Sequence, residues 1–253
     1  MRPLRLFQAG AAKVRLPKSY APNRADVTLI NTAGGLTGGD RFDVSVAIAD
    51  GAAACVTTQA CEKIYRSLDG EAAVVGNVLS VGEDGRLAWL PQETIFFDRA
   101  ALRRGLTVDL APSATFLALE PMLFGRAAMG EVVRQGSFRD AWTLRRDGRL
   151  IFADRTDLAG DIAAILDRPG VARGAWAYAA GVYAGPDPER VRDAIRAVPQ
   201  GPDSGDGVTA GASMVRDVVS FRCVARDGFA LRRWIGAAYR AAWGEDLPRV
   251  WGC

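Results

Sequence analysis

Four glycines within six positions, Gly34, Gly35, Gly38 and Gly39, stand in the segment Asn-Thr-Ala-Gly-Gly-Leu-Thr-Gly-Gly-Asp over residues 31–40. Glycine-rich connectors can cradle phosphate through backbone N–H groups, but this one lacks the partners that chemistry needs. A P-loop requires Lys and then Ser or Thr after its last glycine, and Asp40-Arg41-Phe42 follows instead. A dinucleotide-binding turn opens a helix, whereas Phe42, Val44, Val46 and Ile48 alternate as a strand does. A carboxylate at position 40 would also repel phosphate. The glycines read as a strand-to-strand connection needing positive φ or close approach, with a nucleotide-binding module as the less favoured alternative.

The 253 residues contain no histidine. Ser-His-Asp and Cys-His catalysis are excluded within the chain, because no imidazole is present to take the nucleophile's proton. Histidine-based zinc and nickel sites are excluded as well. Cys55, Cys61, Cys223 and Cys253 form no C-x-x-C pair, so a closed zinc site is not indicated. Cys55 lies in an apolar run and reads as core. Scattered cysteines without a secretory leader fit a reducing compartment. No apolar run approaches the roughly 18 residues of a spanning helix. The formal charge of +3 comes from interspersed Arg and Asp, which argues against a nucleic-acid partner. A single cytoplasmic domain over residues 1–253 is the expectation.

The elements that must position any site are mostly strands. Asp-Gly pairs at 50–51, 69–70, 84–85, 147–148, 206–207 and 227–228 supply the positive φ values of tight turns, as in type I′ hairpins. Between them lie short apolar runs at 74–81, 86–90, 106–110, 115–119, 138–144, 150–153, 176–183 and 218–224. This spacing predicts a mainly β fold, a sandwich or solenoid-like stack of antiparallel and mixed sheets. Two helices break the pattern near the C-terminus. Asp187-Pro188-Glu189 opens one and Pro199 ends it. The other follows Gly228, with Leu231, Trp234, Ile235, Ala238, Tyr239 and Ala242 on one stripe. The glycine-rich segment 201–207 reads as a flexible connector.

Three further segments carry polar groups in suggestive places. Thr-Thr-Gln-Ala-Cys-Glu-Lys-Ile-Tyr-Arg-Ser at 57–67 reads as an edge strand with a solvated face, or else as a polar cavity wall. Leu-Pro-Gln-Glu-Thr-Ile-Phe-Phe-Asp at 90–98 puts Glu93 beside bulky apolar residues, exposed across the pleat or buried with a partner. Phe-Gly-Arg-Ala-Ala-Met-Gly-Glu at 124–131 offers Arg126 and Glu131 on a loop between glycines.

Taken in order, "NTAGGLTGGDRF", "TTQACEKIYRS", "LPQETIFFDRA" and "FGRAAMGE" closely resemble the urease accessory protein D family (UreD, also UreH), and the tail "LPRVWGC" resembles its closing element. The resemblance runs from about Phe7 to the C-terminus. The chain departs from the family in starting late, in Cys61 where alanine is expected, and in its Gly252-Cys253 ending. The resemblance implies a non-catalytic maturation factor with no tightly bound cofactor. Such a scaffold binds apo-urease and UreF, and through UreF the GTPase UreG, and assists nickel insertion through an internal passage. A purely structural adaptor without nickel conduction is the alternative. Isolated carboxylates would hold a borderline cation in transit weakly enough to release it. Asp40, Glu93 and Glu131, each inside a matched motif, are the expected passage acids. Trp234, Tyr239, Trp243 and Trp251 are the expected partner-binding residues, an exposed apolar patch that would make the isolated chain poorly soluble; the alternative is that the stripe packs onto the β core.

Overall fold

The structure, a computed structural model, describes residues 3–19, 21, 23–126, 129–200 and 207–252. Among the described residues, fifteen strands and three α-helices follow one another in an order that makes the chain coil. Strands β2 (Ala25–Asn31), β4 (Ala53–Thr58), β7 (Arg86–Leu90) and β10 (Thr115–Phe124) lie side by side in parallel in one sheet. Strands β3 (Arg41–Ile48), β6 (Ala73–Val81), β9 (Ala100–Leu110) and β11 (Gly136–Arg146) do the same in a second sheet. Each pass through the larger sheet is followed by a pass through the smaller one. The result is the solenoid-like stack expected from the turn spacing.

This coiling assigns the Asp-Gly pairs different work. Asp147-Gly148, both at positive φ, closes a true hairpin from β11 to β12 (Arg149–Gly160). Asp50-Gly51 and Asp84-Gly85 instead turn the chain from one sheet to the other, because the strands they join belong to different layers. Asp227 caps a helix, its carboxylate accepting from Ala230 N at 2.7 Å. Asp206 lies outside the described residues, as does most of the expected connector.

The larger sheet is extended by antiparallel β1 (Ala12–Arg15) at one edge and by β13 (Ala177–Ala184), β15 (Val218–Ala225) and β14 (Val208–Val215) at the other. Short strands β5 (Glu62–Ile64) and β8 (Thr94–Phe96) pair with each other, and β8 pairs with β10. The smaller sheet runs β12-β11-β9-β6-β3. Leu79, Val81, Leu106, Val108, Trp142 and Leu144 from the smaller sheet meet Phe116, Ala118, Val182 and Leu87 from the larger in one core.

Helices cover the other face of the larger sheet. Helix α2 (Pro188–Arg196) starts at Pro188 as expected, but Asp187 sits at φ 51° with no side-chain cap. Helix α3 (Gly228–Trp243) buries Leu231, Trp234, Ile235, Ala238, Tyr239 and Trp243 against Leu117, Leu119, Phe221 and Cys223. A short helix, α1 (Ile162–Asp167), was not expected; its six residues are too few for a readable period.

The expected exposed patch is therefore corrected. Tyr239 is fully buried, and Trp234, Trp243 and Trp251 are 4, 7 and 4 % exposed. An amphipathic stripe beside a large apolar sheet face buries itself there, since each such side chain gains roughly 1.5–3 kcal/mol by leaving water. The stripe is core packing, and these four aromatic residues form no surface.

Candidate functional site

Burial alternates along β9 and β11, while β10 is buried on both faces; every second side chain of these strands enters the inter-sheet layer, and three of those inward positions are charged. Arg104 stands between Leu102 and Leu106, Asp140 between Phe138 and Trp142, and Glu120 between Ala118 and Met122. They are 7, 6 and 1 % exposed. Arg104 and Asp140 are direct partners in the β9–β11 register. The guanidinium donates to Asp140 through Nε at 3.2 Å and Nη2 at 2.7 Å, and Nη2 lies 3.0 Å from Glu120 Oε2. Trp142 Nε1 donates to Asp140 at 3.2 Å, and Trp89 Nε1 donates to Glu120 Oε1 at 2.6 Å.

One cation thus faces two carboxylates in the layer between sheets. Burial pushes the Glu120 carboxyl above its usual range, with Asp140 adding repulsion, while Arg104 and the Trp89 hydrogen bond pull it back. Burial alone would ease the proton off Arg104, but Asp140 and Glu120 outweigh it and hold the guanidinium charged. Glu120 Oε2 receives no hydrogen bond of good geometry. Its only compensation there is the ion pair.

Glu120 is one of the residues lining a cavity of about 440 Å³, with Oε2 itself sealed from solvent. The two sheets supply Phe42, Val44, Asn77, Leu102 and Arg104 on one side and Leu29, Trp89 and Glu120 on the other. The larger sheet has a gap here. Strand β10 pairs with β7 through residues 115–118 and with β8 through 122–124, and the chain between them bulges at residues 91–93. Pro121, which has no N–H to give to a ladder, falls in this gap. Pro91 and Gln92 line the cavity beside it.

The glycine-rich segment closes one end. Leu36 pairs with Ile64 as an isolated parallel bridge, with Leu36 N donating to Lys63 O at 2.8 Å and Tyr65 N to Leu36 O at 2.7 Å. A Cβ at Gly35, where φ is 148°, would overlap the Tyr65 ring and stand 2.8 Å from Lys63 O. The glycines serve close approach of two chain segments rather than phosphate, as their context indicated. Asn31 Nδ2 donates to both Glu62 oxygens at 3.1 Å. Burial raises the Glu62 carboxyl, partly offset by Asn31.

Within the segment 57–67, Thr58 through Ile64 line the space, which favours its cavity-wall reading over the edge-strand one. Strand β5 is flanked by β8 on one side and Leu36 on the other, so it has no open edge at Ile64. Cys61 is half-buried in this wall, its thiol 3.6 Å from Glu93 Oε2 and pushed up to about 11 by burial and by that carboxylate.

The three expected passage acids do not converge. Asp40 is exposed, and its carboxylate accepts from Thr37 N at 2.8 Å, closing the turn that ends the glycine segment. Glu93 is 3 % exposed and, as one of its two readings required, is buried with a partner. Arg232 of α3 grips it through Nε at 2.8 Å and Nη2 at 2.6 Å, and also donates to Gln92 Oε1 at 2.9 Å and Trp251 O at 2.6 Å. Trp251 in turn donates from Nε1 to Thr57 Oγ1 at 3.0 Å, so the C-terminal turn (Arg249–Gly252) is latched behind the cavity wall. Glu131 pairs with Arg126 at 2.7 Å and lines a separate groove of about 610 Å³ with Trp176 and Asp161.

Glu62, Arg104, Glu120 and Asp140 were not singled out from the sequence. A signal existed: Arg104 and Asp140 are charges in the inward phase of alternating strands, and Glu120 is a lone charge inside a continuous apolar run. Among the described residues, no group of three or more Cys, Asp or Glu side chains is arranged to hold a metal ion, and no helix is long and apolar enough to cross a membrane.

The sequence pattern described as UreD urease accessory protein matches residues 2–252. The chain belongs to the UreD family. A urease accessory protein UreD of Rhizobium rhizogenes is 47% identical over 247 residues, covering 97% of this chain and 88% of the relative. One from Sinorhizobium medicae is 46% identical with the same coverage, and one from Rhodopseudomonas palustris is 41% identical over 98% of this chain and 85% of the relative. Family membership supports a role in urease maturation.

Proposed function

We propose that this UreD-family chain is a non-catalytic, cytoplasmic maturation factor that binds apo-urease and a UreF-type partner, with UreG recruited through UreF. The inter-sheet cavity is one segment of a passage by which nickel reaches the urease active site. The observation that supports this reading is Glu120, a carboxylate among the residues lining the cavity, with one oxygen compensated among the described residues by a single ion pair. Arg104 neutralises part of the charge of Glu120 and Asp140, so the wall attracts a hydrated divalent cation without offering several donors at once. Nickel here is cargo, and a site that released it slowly would stall delivery.

Glu120→Gln tests the reading, because the amide keeps the shape and removes the charge. In a urease operon lacking this gene and complemented in trans, E120Q should assemble the same complex with apo-urease. Urease activity and nickel content at limiting nickel should fall several-fold. Normal nickel content with E120Q would instead favour the adaptor reading, in which the scaffold holds its partners together and conducts nothing.

A further inference from the structure

The outer face of the smaller sheet is uncovered by any described residue, and its composition is unlike an ordinary solvated sheet. Inward positions of β3, β6, β9 and β11 fill the core, so the alternate positions face out. Across the middle rows of the register these are Gly76, Gly105 and Ala141, flanked by Asp43 and Arg155, then Ser45, Val78, Thr107, Thr143 and Ala153. Val78 is 52 % exposed there. A sheet face meant only for water usually carries long charged side chains, whereas this centre is flat.

Charge gathers at one end of the face. Arg103 and Arg139 are direct neighbours in the β9–β11 register, and Arg155 of β12 stands opposite Ala141 in the next row. Asp157 pairs with Arg139 at 3.3 Å. Arg103 and Arg155 have no hydrogen-bond or ion-pair partner among the described residues. Like charges placed side by side on one sheet face are destabilising, so this arrangement costs the free protein something that an anionic partner would recover. Over the whole face five arginines, at 41, 103, 139, 145 and 155, oppose three aspartates, at 43, 109 and 157.

Five strands at ~4.8 Å spacing and about eight residues at ~3.3 Å give a footprint of roughly 600 Å². That approaches the ~800 Å² per partner of a stable protein–protein interface. We infer that this face is a docking surface for a flat, acidic protein surface, and that the surface is carried by apo-urease. The assignment of that partner rests on the maturation reading. The small central side chains let the partner approach the sheet closely, and Arg103, Arg139 and Arg155 meet its acidic groups. Electrostatic complementarity of this kind acts on encounter rate and falls with salt.

The test measures binding of purified apo-urease to the full chain, alone and with its UreF-type partner, at low and high ionic strength. Variants are Arg103→Glu with Arg155→Glu, Thr107→Trp as a steric block on a strand that accepts tryptophan, and E120Q as a cavity control. The charge-reversed pair should weaken apo-urease binding at least tenfold at low salt and flatten its salt dependence. T107W should weaken it similarly, E120Q should leave it unchanged, and circular dichroism should show all folded. Wild-type affinity for both surface variants would overturn the proposal while leaving the maturation reading intact. Loss of UreF binding or of self-association in place of apo-urease binding would overturn it too, by naming a different occupant. Absence of any wild-type binding to apo-urease would sink the maturation reading itself.

Discussion

Replacing Arg104 by methionine keeps most of the side chain's volume and removes the one cation between Glu120 and Asp140. The structure sets the size of the effect. Arg104 makes two hydrogen bonds to Asp140, at 2.7 and 3.2 Å, and an ion pair at 3.0 Å to Glu120, with all three residues buried. Removing one partner of a buried pair typically costs ~3–5 kcal/mol, because an uncompensated charge stays behind. Against a whole-domain stability of about 5–15 kcal/mol, that is a large share. The loss should depend on pH. Glu120 already has a raised folded-state pKa, and Arg104 is the main group lowering it, so R104M pushes it further up. A raised carboxyl contributes stability that is fully present below its unfolded pKa and lost as pH rises through the folded one. The gap between R104M and wild type should therefore be widest at neutral pH and narrow on acidification toward about pH 4.5. Urea unfolding followed by tryptophan fluorescence, with Trp89 and Trp142 reporting on the cluster, measures this at pH 5 and pH 7.5. The double variant R104M with E120Q should recover about 1–3 kcal/mol, since it removes one stranded charge. R104M within ~1 kcal/mol of wild type at pH 7.5, with no change on acidification, would refute the view that charge pairing holds this wall together.

Arg232→Ala should destabilise the chain by roughly 3–5 kcal/mol, as Glu93 is left buried without its cation, and limited proteolysis should show the C-terminal turn released first. Gly35→Ala should cost more than 1 kcal/mol, from positive φ and from overlap with Tyr65, read as a fall in the urea midpoint. Trp234→Ala and Trp243→Ala should each cost about 3–5 kcal/mol of stability, as core truncations do. Partner binding by the fraction that stays folded should be unaffected, and a binding loss without a stability loss would return these residues to an interface.

Local chemistry was legible in the chain by itself. The strands over 74–81, 86–90 and 115–119, the Pro188 helix start and the stripe after Gly228 all show in the pattern of neighbouring side chains, which periodicity records. The unsuitability of the glycine segment for phosphate followed from what came after it, and the family followed from ordered motifs. Tertiary structure alone decided which face each element buries and which distant charges meet. Glu93 finds Arg232 across 139 positions of sequence, and Arg104 finds Asp140 across 36. The helix stripe was plain in the sequence, but its fate depended on whether an apolar sheet face stood opposite it. The same holds for the cavity. Asp40, Glu93 and Glu131 share motif membership, yet coiling between two sheets brings Glu120, Glu62 and Arg104 to the cavity instead. Spacing along a strand says that a charge points inward. Only the register between strands says which partner is there to meet it.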